Sequence, residues 1–456
     1  MASRHNTIEA MELKGGLSDE TAKTQIESEL ELSASTLTSI PDCVAFTRRK
    51  GRYTLAKEYS LKNSLLAGVG FLELANAGDF AANVWNEIPV PGFAAALMAV
   101  GGTVALGISL FAFRDARLSR RNILLLREER RYLRTQKADH VQETPIARDV
   151  QSQLDVNFRE MGTELVDRMG MDIVMGFGAI AVGIGTLMAI GGANQAVFKA
   201  SNLLSGYIGN APIALYGIAN AIWSAYVWRR ENQHRIAGAK ELKEDAVKRA
   251  LNRRIRTFKT HSAINGVVGI VAGGASVVTA TLWYGYPILV PCIILSIVRN
   301  YVWRHGIGYD RPLIRQRLRV DMISLIEGLI SVTSAQQIFE EAPSESLPRL
   351  VSDPESIGSI IVFMRNNDLF EDFCVRILQD ISLSTSLFGT LNDELIIDPQ
   401  SLVTADKLHL PRLFQIAQTT VSEIGLKRFE YRERYLVEAL GCYLCARGVE
   451  TTSEQC

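Results

Sequence analysis

The sequence predicts an all-α, polytopic integral membrane protein with six transmembrane helices, which form three repeated hairpins, and a C-terminal cytosolic helical domain. The stretch Ser262–Trp303 is apolar almost throughout, and the turn Tyr284–Pro287 divides it into two runs. Each run has about the 20 residues that an α-helix needs to cross about 30 Å of hydrocarbon. This stretch therefore predicts a tight transmembrane hairpin.

The second arm of this hairpin has a copy elsewhere in the chain. It begins at Pro287 and ends in a YVWR sequence at Arg304, and the run from Pro212 to the YVWR sequence at Arg229 has the same length. A looser third copy ends at Phe111–Arg114. An internal repeat of this kind predicts three hairpins of one design.

Charged residues are concentrated in particular segments, although their totals balance. The 456 residues include 49 basic and 49 acidic side chains. Ile173–Phe198 has no charged side chain, whereas Arg114–Arg134 has eight arginines. The apolar and the charged segments are therefore expected in different compartments. The expected partner is the lipid bilayer, and no nucleic acid is expected.

The predicted hairpins alternate with charged segments. These are a largely disordered cytosolic N-terminal segment (1–60), hairpin 1 (61–113), a basic cytosolic helical linker (114–171), hairpin 2 (172–228), a second basic cytosolic linker (229–261), hairpin 3 (262–303), and a basic juxtamembrane segment followed by an acidic cytosolic helical domain (304–456). Met1–Pro41 lacks the apolar centre of a cleaved signal peptide, so the first span is expected to act as the insertion signal.

Lysine and arginine predict that both termini are cytosolic. The loops inside the three hairpins have one basic residue, Lys199, whereas the linkers 114–171 and 229–261 have twelve and eleven. Basic residues collect on the cytosolic side of short loops, so every hairpin is predicted to have the same orientation. Which membrane the protein occupies does not follow from the sequence.

Two tryptophan–arginine pairs are predicted to anchor helices at the cytosolic interface of the membrane. Tryptophan favours the level of the lipid head groups, and the long side chain of arginine reaches them from inside the membrane. The predicted anchors are Trp228, Arg229, Trp303 and Arg304. The two basic linkers are predicted to be helical, and they either bind anionic lipid head groups or are solvated extensions that only fix topology.

Residues 320–456 are predicted to form a separate soluble domain. They include 21 acids and ten bases, a formal charge of −11 (10 − 21), and we predict no run that could cross a bilayer. Apolar residues recur at helical spacing in Met322–Ile330, Ile357–Met364 and Leu413–Ile424. We expect this domain to have its own core, to dock onto the basic linkers in a salt-sensitive way, and to offer a surface to a cytosolic protein partner.

Four polar residues inside the predicted spans are candidates for an intramembrane site. Glu73 lies about 16 Å into the first span, where an ionised carboxylate is costly unless it faces a polar interior. Asn76 lies one turn further on the same face, and Asn220 has a similar depth in the fourth span. Arg299 lies about 6 Å inside the cytosolic end of the sixth span.

Each candidate has a second interpretation. Glu73 belongs either to a polar site or to a hydrogen bond that only joins helices, and Arg299 either extends to the head groups or pairs with Glu73 or Asp172. Glycines in the odd-numbered spans, including the GxxxG sequence Gly269–Gly273, predict close helix packing. A pore or lipid groove lined by glycine is the alternative.

No motif in the sequence identifies a reaction or a ligand. The pair Cys442–Cys445 stands alone, which predicts structural thiols. The sequence has no P-loop, Rossmann glycine pattern, HExxH or nucleophile elbow, so neither a metal nor a cofactor is predicted. The predicted function is a transporter-like or channel-like module, or a membrane scaffold that presents the cytosolic domain. The alternative is a membrane-embedded enzyme that uses Glu73 as a buried general acid.

Overall fold

The fold is mostly helical, and several helices have the length and composition of membrane spans. A computed structural model describes residues 43–49, 52–56, 60–62, 67–85, 89–139, 145–314, 321–342, 346–389 and 393–453. Among these residues, five helices are long and apolar enough to cross a membrane: Gly92–Ala138, Ala147–Ala189, Asp245–Thr279, Gly285–Ile307 and Met322–Glu341. By length and composition, the chain is a multi-pass membrane protein in contact with lipid.

The α-helices fall into a membrane group and a C-terminal group. In chain order they are α1 (Phe80–Val84), α2 (Gly92–Ala138), α3 (Pro145–Gly162), α4 (Met171–Ala189), α5 (Gln195–Asn202), α6 (Asn210–Glu241), α7 (Asp245–Thr279), α8 (Gly285–Val302), α9 (Met322–Glu341), α10 (Ser346–Leu350), α11 (Ile357–Asn366), α12 (Phe370–Gln379), α13 (Ile381–Phe388), α14 (Pro399–Val403) and α15 (Leu410–Ser453). A 3₁₀ segment, Ala67–Ala77, precedes α1. Three π-helical stretches follow α3, α5 and α8: Thr163–Gly170, Leu203–Ile208 and Trp303–Ile307.

The longest membrane helices continue without interruption into the basic linkers. Helix α2 runs for 47 residues, because Arg114–Ala138 contains no glycine or proline and is rich in Leu, Arg and Glu, which favour helix. Helices α6 and α7 extend in the same way through most of the second linker. The described parts of both linkers are thus mostly helical, and their helices are continuous with those of the predicted spans.

The first predicted span, Leu61–Ala81, is not an α-helix. Its central part is the 3₁₀ segment, whose eleven residues cover about 22 Å at 2.0 Å per residue. Gly70 lets this segment lie against α8, since a Cβ atom there would be 3.1 Å from the Cβ atom of Asn300. A 3₁₀ helix places residues three apart in one line, which differs from the α-helical register that we predicted.

Two helices change the predicted list of spans. Helix α6, the predicted fourth span, is not one of the five, because Asn220, Trp223 and Ser224 lower its hydropathy. Helix α9 is one of the five, although we predicted no span after residue 320. The face of α9 that includes Leu325 packs in a core with α15. The six-span count and the repeat therefore stay predictions.

The C-terminal helices share one hydrophobic core with the linkers. This core includes five side chains that are at most 2% exposed and come from β1, α7, α9, α12 and α15: Phe46, Leu251, Phe339, Phe373 and Leu440. The prediction that residues 320–456 have a core of their own is therefore wrong. Their apolar faces are covered in part by the helical linkers and by a strand from the N-terminal side.

Short strands pair residues near the N-terminal end of the described chain with residues in its C-terminal third. The prediction of an all-α fold missed these strands. The strands are β1 (Val44–Arg49), β2 (Arg52–Leu55), β3 (Ser60–Leu61), β4 (Arg311–Pro312) and β5 (Glu394–Ile397). Strand β1 pairs antiparallel with β2 and with β5, and β3 pairs with β4. The prediction of disorder for 1–60 thus fails for these strands, since Val44 and Phe46 alternate into the core, while 1–42 lies outside the described residues.

Glycines bring the helix backbones into contact, as predicted. On α6, a Cβ atom at Gly217 would overlap the carbonyl oxygen of Gly269 on α7. On α2, a Cβ atom at Gly102 would lie 2.9 Å from the carbonyl oxygen of Gly183 on α4. Only glycine permits such distances, so these residues set how closely the two helix pairs approach.

Candidate functional site

A small polar cavity lies where four elements meet. They are the 3₁₀ segment, the π-helical stretch Thr163–Gly170, α7 and α8. Its volume is about 40 Å³, which is enough for a single ion or a very few water molecules. Its polar lining includes Glu73, Asp167, Arg168, Asp172, Asn265 and Arg299. The lining thus brings two of the four predicted site residues together with four that we did not predict.

Glu73 and Asn76 form a buried pair on the 3₁₀ segment. Glu73 is 3% exposed and Asn76 is fully buried. The Nδ2 of Asn76 donates a hydrogen bond of 2.8 Å to Oε2 of Glu73. Arg299 on α8 attracts the Glu73 carboxylate. Asn76 therefore joins the site through Glu73, and Glu73 has Arg299 as a basic neighbour, which was one of the two predicted interpretations of Arg299.

Asn265 on α7 connects Asn220 and Arg299. Its Nδ2 lies 3.1 Å from Oδ1 of Asn220 and 3.1 Å from Oδ1 of Asp167. Its Oδ1 accepts a hydrogen bond from Arg299, whose other nitrogen lies 3.3 Å from the Oγ of Ser296. The guanidinium group of Arg299 thus points into the protein and does not extend to the head groups. The sequence does contain a signal that could have identified Asn265, because it is an amide at the fourth position of an otherwise apolar predicted span.

A second buried charge cluster adjoins the cavity around Arg168. This guanidinium group donates hydrogen bonds of 3.0 and 3.2 Å to Asp115 and of 2.7 Å to Glu164. The Oγ of Ser119 donates to Glu164 at 2.6 Å. All four side chains are at most 2% exposed. Sequence reasoning placed these residues in a linker, so it did not consider them as parts of an intramembrane site.

Asp172 is the one carboxylate of the cavity wall to which no N–H or hydroxyl group among the described residues donates a hydrogen bond. It is 1% exposed, and its hydrogen-bonding neighbour is Asp115, a second carboxyl group that can donate only when it is protonated. Asp115 and Glu164 are close enough to repel its charge, and Arg168 attracts it. An ionised carboxylate in such a place is costly. The geometry therefore favours a bound proton or cation at Asp172.

The predicted interface anchors have different environments. Trp228 is 43% exposed, and Arg229 beside it is exposed. Trp303 is only 4% exposed, because it packs against Phe258 of α7, and it lines the cavity. Arg304 is half-buried. The ring of Trp303 therefore does not reach the surface, and the two copies of the YVWR sequence are not equivalent.

The basic linkers direct several arginines inward, toward α15. The Oε1 and Oε2 atoms of Glu438 accept hydrogen bonds from Arg159 at 2.7 and 2.5 Å, and Oε2 accepts one from Arg254 at 2.7 Å. Arg230 lies 3.5 Å from the same carboxylate. Burial alone would raise the pKa of Glu438, but the three guanidinium groups hold that pKa well below its ordinary value. These arginines are therefore not available to lipid head groups.

A further buried arginine joins β4 to the first linker. Arg311 donates to Glu129 of α2 at 2.7 Å and to Glu160 of α3 at 2.5 Å. Glu129 also accepts hydrogen bonds from Asn157 at 2.8 Å and from the backbone nitrogen of Ile314 at 2.8 Å. Paired buried charges therefore hold the linker helices together. Neither predicted role of the linkers, binding of anionic head groups or fixing of the topology, included such contacts.

We call the contact of α15 with the linker helices around Glu438 the junction. The two cysteines of the CxxC sequence lie in this junction. Burial raises the pKa of the Cys442 thiol far above its ordinary value, and it raises the pKa of the Cys445 thiol to about 11. The Sγ of Cys442 lies 2.8 Å from a guanidinium nitrogen of Arg230. Both thiols stay protonated at neutral pH, which agrees with the predicted structural role.

In the described stretches, no three His, Cys, Asp or Glu side chains are grouped in a way that could hold a metal ion. Comparisons of the chain with protein-family models, with curated proteins and with solved structures find no match.

Proposed function

We propose that this protein is a transporter-like or channel-like membrane module in which the buried carboxylates around the cavity take up a proton or a small monovalent cation. The observation that carries the proposal is Asp172, a buried carboxylate beside a polar cavity without an N–H or hydroxyl donor among the described residues. A proton and a small cation have the same effect here, because each satisfies carboxylate oxygens to which no N–H or hydroxyl group donates a hydrogen bond.

The charges around the cavity support this proposal. Five buried carboxylates (Glu73, Asp115, Glu164, Asp167 and Asp172) face two guanidinium groups (Arg168 and Arg299), so the fully ionised cluster has a charge of −3 (2 − 5). Uncompensated charges in an interior of low dielectric constant are strongly unfavourable. Bound protons or cations remove this cost, and a change in their number changes the charge of the site.

The proposal includes the predicted topology. Both termini and the basic linkers are cytosolic, α6 is a span, and Trp228, Arg229 and Arg304 lie at the cytosolic interface. Exposed apolar side chains on α6, among them Leu215 at 70% and Ile222 at 68%, support contact with lipid along this helix. Helix α9 belongs to the cytosolic domain, because its buried face packs against α15.

Cysteine labelling with a membrane-impermeant reagent tests the topology. Suitable positions are Gln195, Gln233 and Ser422, which are all polar and exposed. We expect Gln195→Cys to be labelled in intact cells, and Gln233→Cys and Ser422→Cys only after permeabilisation. Labelling of Ser422→Cys from outside would show that α9 spans the membrane. Labelling of the other two from one side would contradict hairpin 2.

Ion flux tests the activity directly. The purified protein in liposomes should show uptake of ²²Na⁺ or of protons, the latter followed with a pH-sensitive dye, and the two assays distinguish the ligands. Asp172→Asn and Glu73→Gln should abolish the uptake, since the amide keeps the shape but cannot ionise. Asp245→Asn, which changes an exposed acid at the start of α7, is the control. Wild-type liposomes without either flux and without ion binding would refute the proposal.

A membrane scaffold that presents the cytosolic domain is the second candidate function. The observation in its favour is the junction around Glu438, which fixes α15 rigidly on the linkers. If Glu73 only joins helices, Glu73→Leu should lower stability by no more than about 0.6–2 kcal/mol and should keep the cellular function. Under the scaffold function, Glu438→Gln should abolish the cellular phenotype while flux is absent from the wild type.

A further inference from the structure

The 3₁₀ segment has a polar stripe that continues beyond the cavity. With three residues per turn, Glu73 and Asn76 lie one above the other on this segment, whereas an α-helix would turn the second by about 60° from the first. Asp79 lies in the turn that follows the last residue of the segment, Ala77, and precedes α1. The three side chains are 3%, 0% and 0% exposed. The 3₁₀ segment and the turn after it therefore carry three buried polar side chains in sequence order from the cavity.

The far end of this stripe has its own polar group. The hydroxyl group of Tyr286 donates a hydrogen bond of 2.9 Å to Oδ1 of Asp79, and it accepts one of 2.7 Å from Nδ2 of Asn83. The ring of Phe80 packs edge to face on the ring of Tyr286 with centroids 4.9 Å apart. Asp79 is thus held just beyond the end of the segment that is away from the cavity, beside Tyr286 of α8.

Two oxygens of the stripe have no donor among the described residues. These atoms are Oδ2 of Asp79 and Oδ1 of Asn76, both in fully buried side chains. A buried acceptor without a donor costs about 1–3 kcal/mol, so these two favour a ligand that supplies positive charge or a proton. Carboxylate and amide oxygens bind such ligands and repel anions.

We propose that Asp79 is a second binding site, the outer station of a route by which the same proton or monovalent cation reaches Glu73. This inference rests on the proposed function of the cavity. The ion binds at Asp79, passes the amide oxygen of Asn76 and reaches the carboxylate of Glu73. Tyr286 competes for Asp79 as a hydrogen-bond donor, so the hydroxyl group helps the ion to leave.

Binding and flux measured on the same variants test this route. Asp79→Asn should reduce flux by about tenfold or more, equivalent to 1.4 kcal/mol, while the detergent-solubilised protein still binds the ion at Glu73. Tyr286→Phe should slow release of the ion, because Asp79 loses the hydroxyl group that donates to its Oδ1 at 2.9 Å. Thr186→Val is the matched control, since Thr186 is also fully buried and without a partner but lies on α4.

The outcomes separate this inference from the proposed function. A wild-type protein that neither binds nor conducts the ion overturns both. A wild type that conducts, together with wild-type flux in Asp79→Asn, overturns the route and leaves the cavity function intact. If Asp79→Asn does not fold, as judged by its melting temperature, Tyr286→Phe decides, and a wild-type release rate in that variant overturns the route.

Discussion

Glu438 on α15 and Arg159 on α3 form a two-point ion pair with N–O distances of 2.7 and 2.5 Å, and each side chain is 1% exposed. The two residues are 279 positions apart in the sequence. Helix α3 leads directly into the π-helical stretch that contains Asp167. One buried contact therefore joins the last described helix to the element that forms part of the cavity wall.

Removal of this carboxylate should destabilise the whole junction. Glu438→Gln leaves Arg159 and Arg254 buried without their counter-charge, which typically costs about 3–5 kcal/mol. We expect a matching loss in the free energy of unfolding, measured in detergent, and faster proteolysis of α15. Glu430→Gln is the control on the same helix, because the carboxylate of Glu430, which pairs with Arg434, is 45% exposed. Equal losses in both variants would contradict a special role for Glu438.

The buried ion pairs around Glu438 should resist salt and moderate acid, whereas the charge pattern of the sequence predicts salt-sensitive docking. Buried pairs are screened much less than exposed ones. Because the pKa of Glu438 lies well below 4.5 in the folded protein, its contribution is complete above about pH 4.5 and is lost only as the pH falls through the lowered pKa. Proteolysis of α15 should be unchanged from 0.1 to 1 M salt and should not increase as the pH falls from 8 to 5. Release at 1 M salt would count against this.

Glu371 on α12 should make stability depend on pH in the opposite direction. Burial raises its pKa to about 7, against an ordinary value of 4.5. The folded protein thus retains the proton longer, so this stabilisation is present below pH 4.5 and is lost as the pH rises through 7. Glu371→Gln should raise stability at pH 8 by on the order of 1–3 kcal/mol and flatten the melting temperature between pH 5 and 8. Glu355→Gln, at an exposed position, should leave the slope unchanged.

Two adjacent glycines on α7 provide a test of helix contact. A Cβ atom on Gly273 would lie 2.8 Å from the Cα atom of Ala214, whereas a Cβ atom on Gly274 meets nothing within 4 Å. Gly273→Ala should therefore cost about 1–3 kcal/mol of stability through overpacking. Gly274→Ala should be neutral or stabilising by up to about 1 kcal/mol, because alanine favours helix. Melting temperatures that respond equally would contradict the α6–α7 contact.

A disulfide can test the position of the 3₁₀ segment. The Cβ position of Gly70 lies 3.1 Å from the Cβ atom of Asn300, so a small shift gives the roughly 3.8 Å of a disulfide. The pair Gly70→Cys and Asn300→Cys, with Cys292 replaced by alanine, should cross-link efficiently on oxidation. Phe71→Cys with Asn300→Cys is the control, since Phe71 is 46% exposed. Efficient cross-linking of the control would show a different register.

Much of the site could be predicted from single residues, and its connections could not. A carboxylate in an apolar run stands out, so Glu73 and its neighbour Asn76 were identified. Asp167 and Asp172 lie at the edge of a charged linker, where acids are ordinary, and only the packing of α4 against α2 and the 3₁₀ segment brings them to the cavity. Their importance depends on contacts between segments that are distant in the sequence.

The local conformation of the first span and the role of the linker arginines were also beyond the sequence. In an apolar run with several glycines, hydrophobic periodicity does not distinguish a 3₁₀ helix from an α-helix. Arg159, Arg230 and Arg254 have the same spacing and neighbours as surface arginines. Their burial follows from Glu438, which lies in a region that the charge pattern separated from them.

The sheet that joins β1 and β5 has a consequence for the synthesis of the chain. Val44 pairs with Ile397, so about 350 residues separate the partners. At the usual rate of translation, roughly 20 to 70 seconds pass between their appearance. During this time β1 has only β2 as a neighbour, and its other edge offers unpaired backbone groups to any extended chain nearby. The five helices that could span a membrane are all made within that interval, so the ribosome completes the most hydrophobic part of the protein before β1 can meet β5.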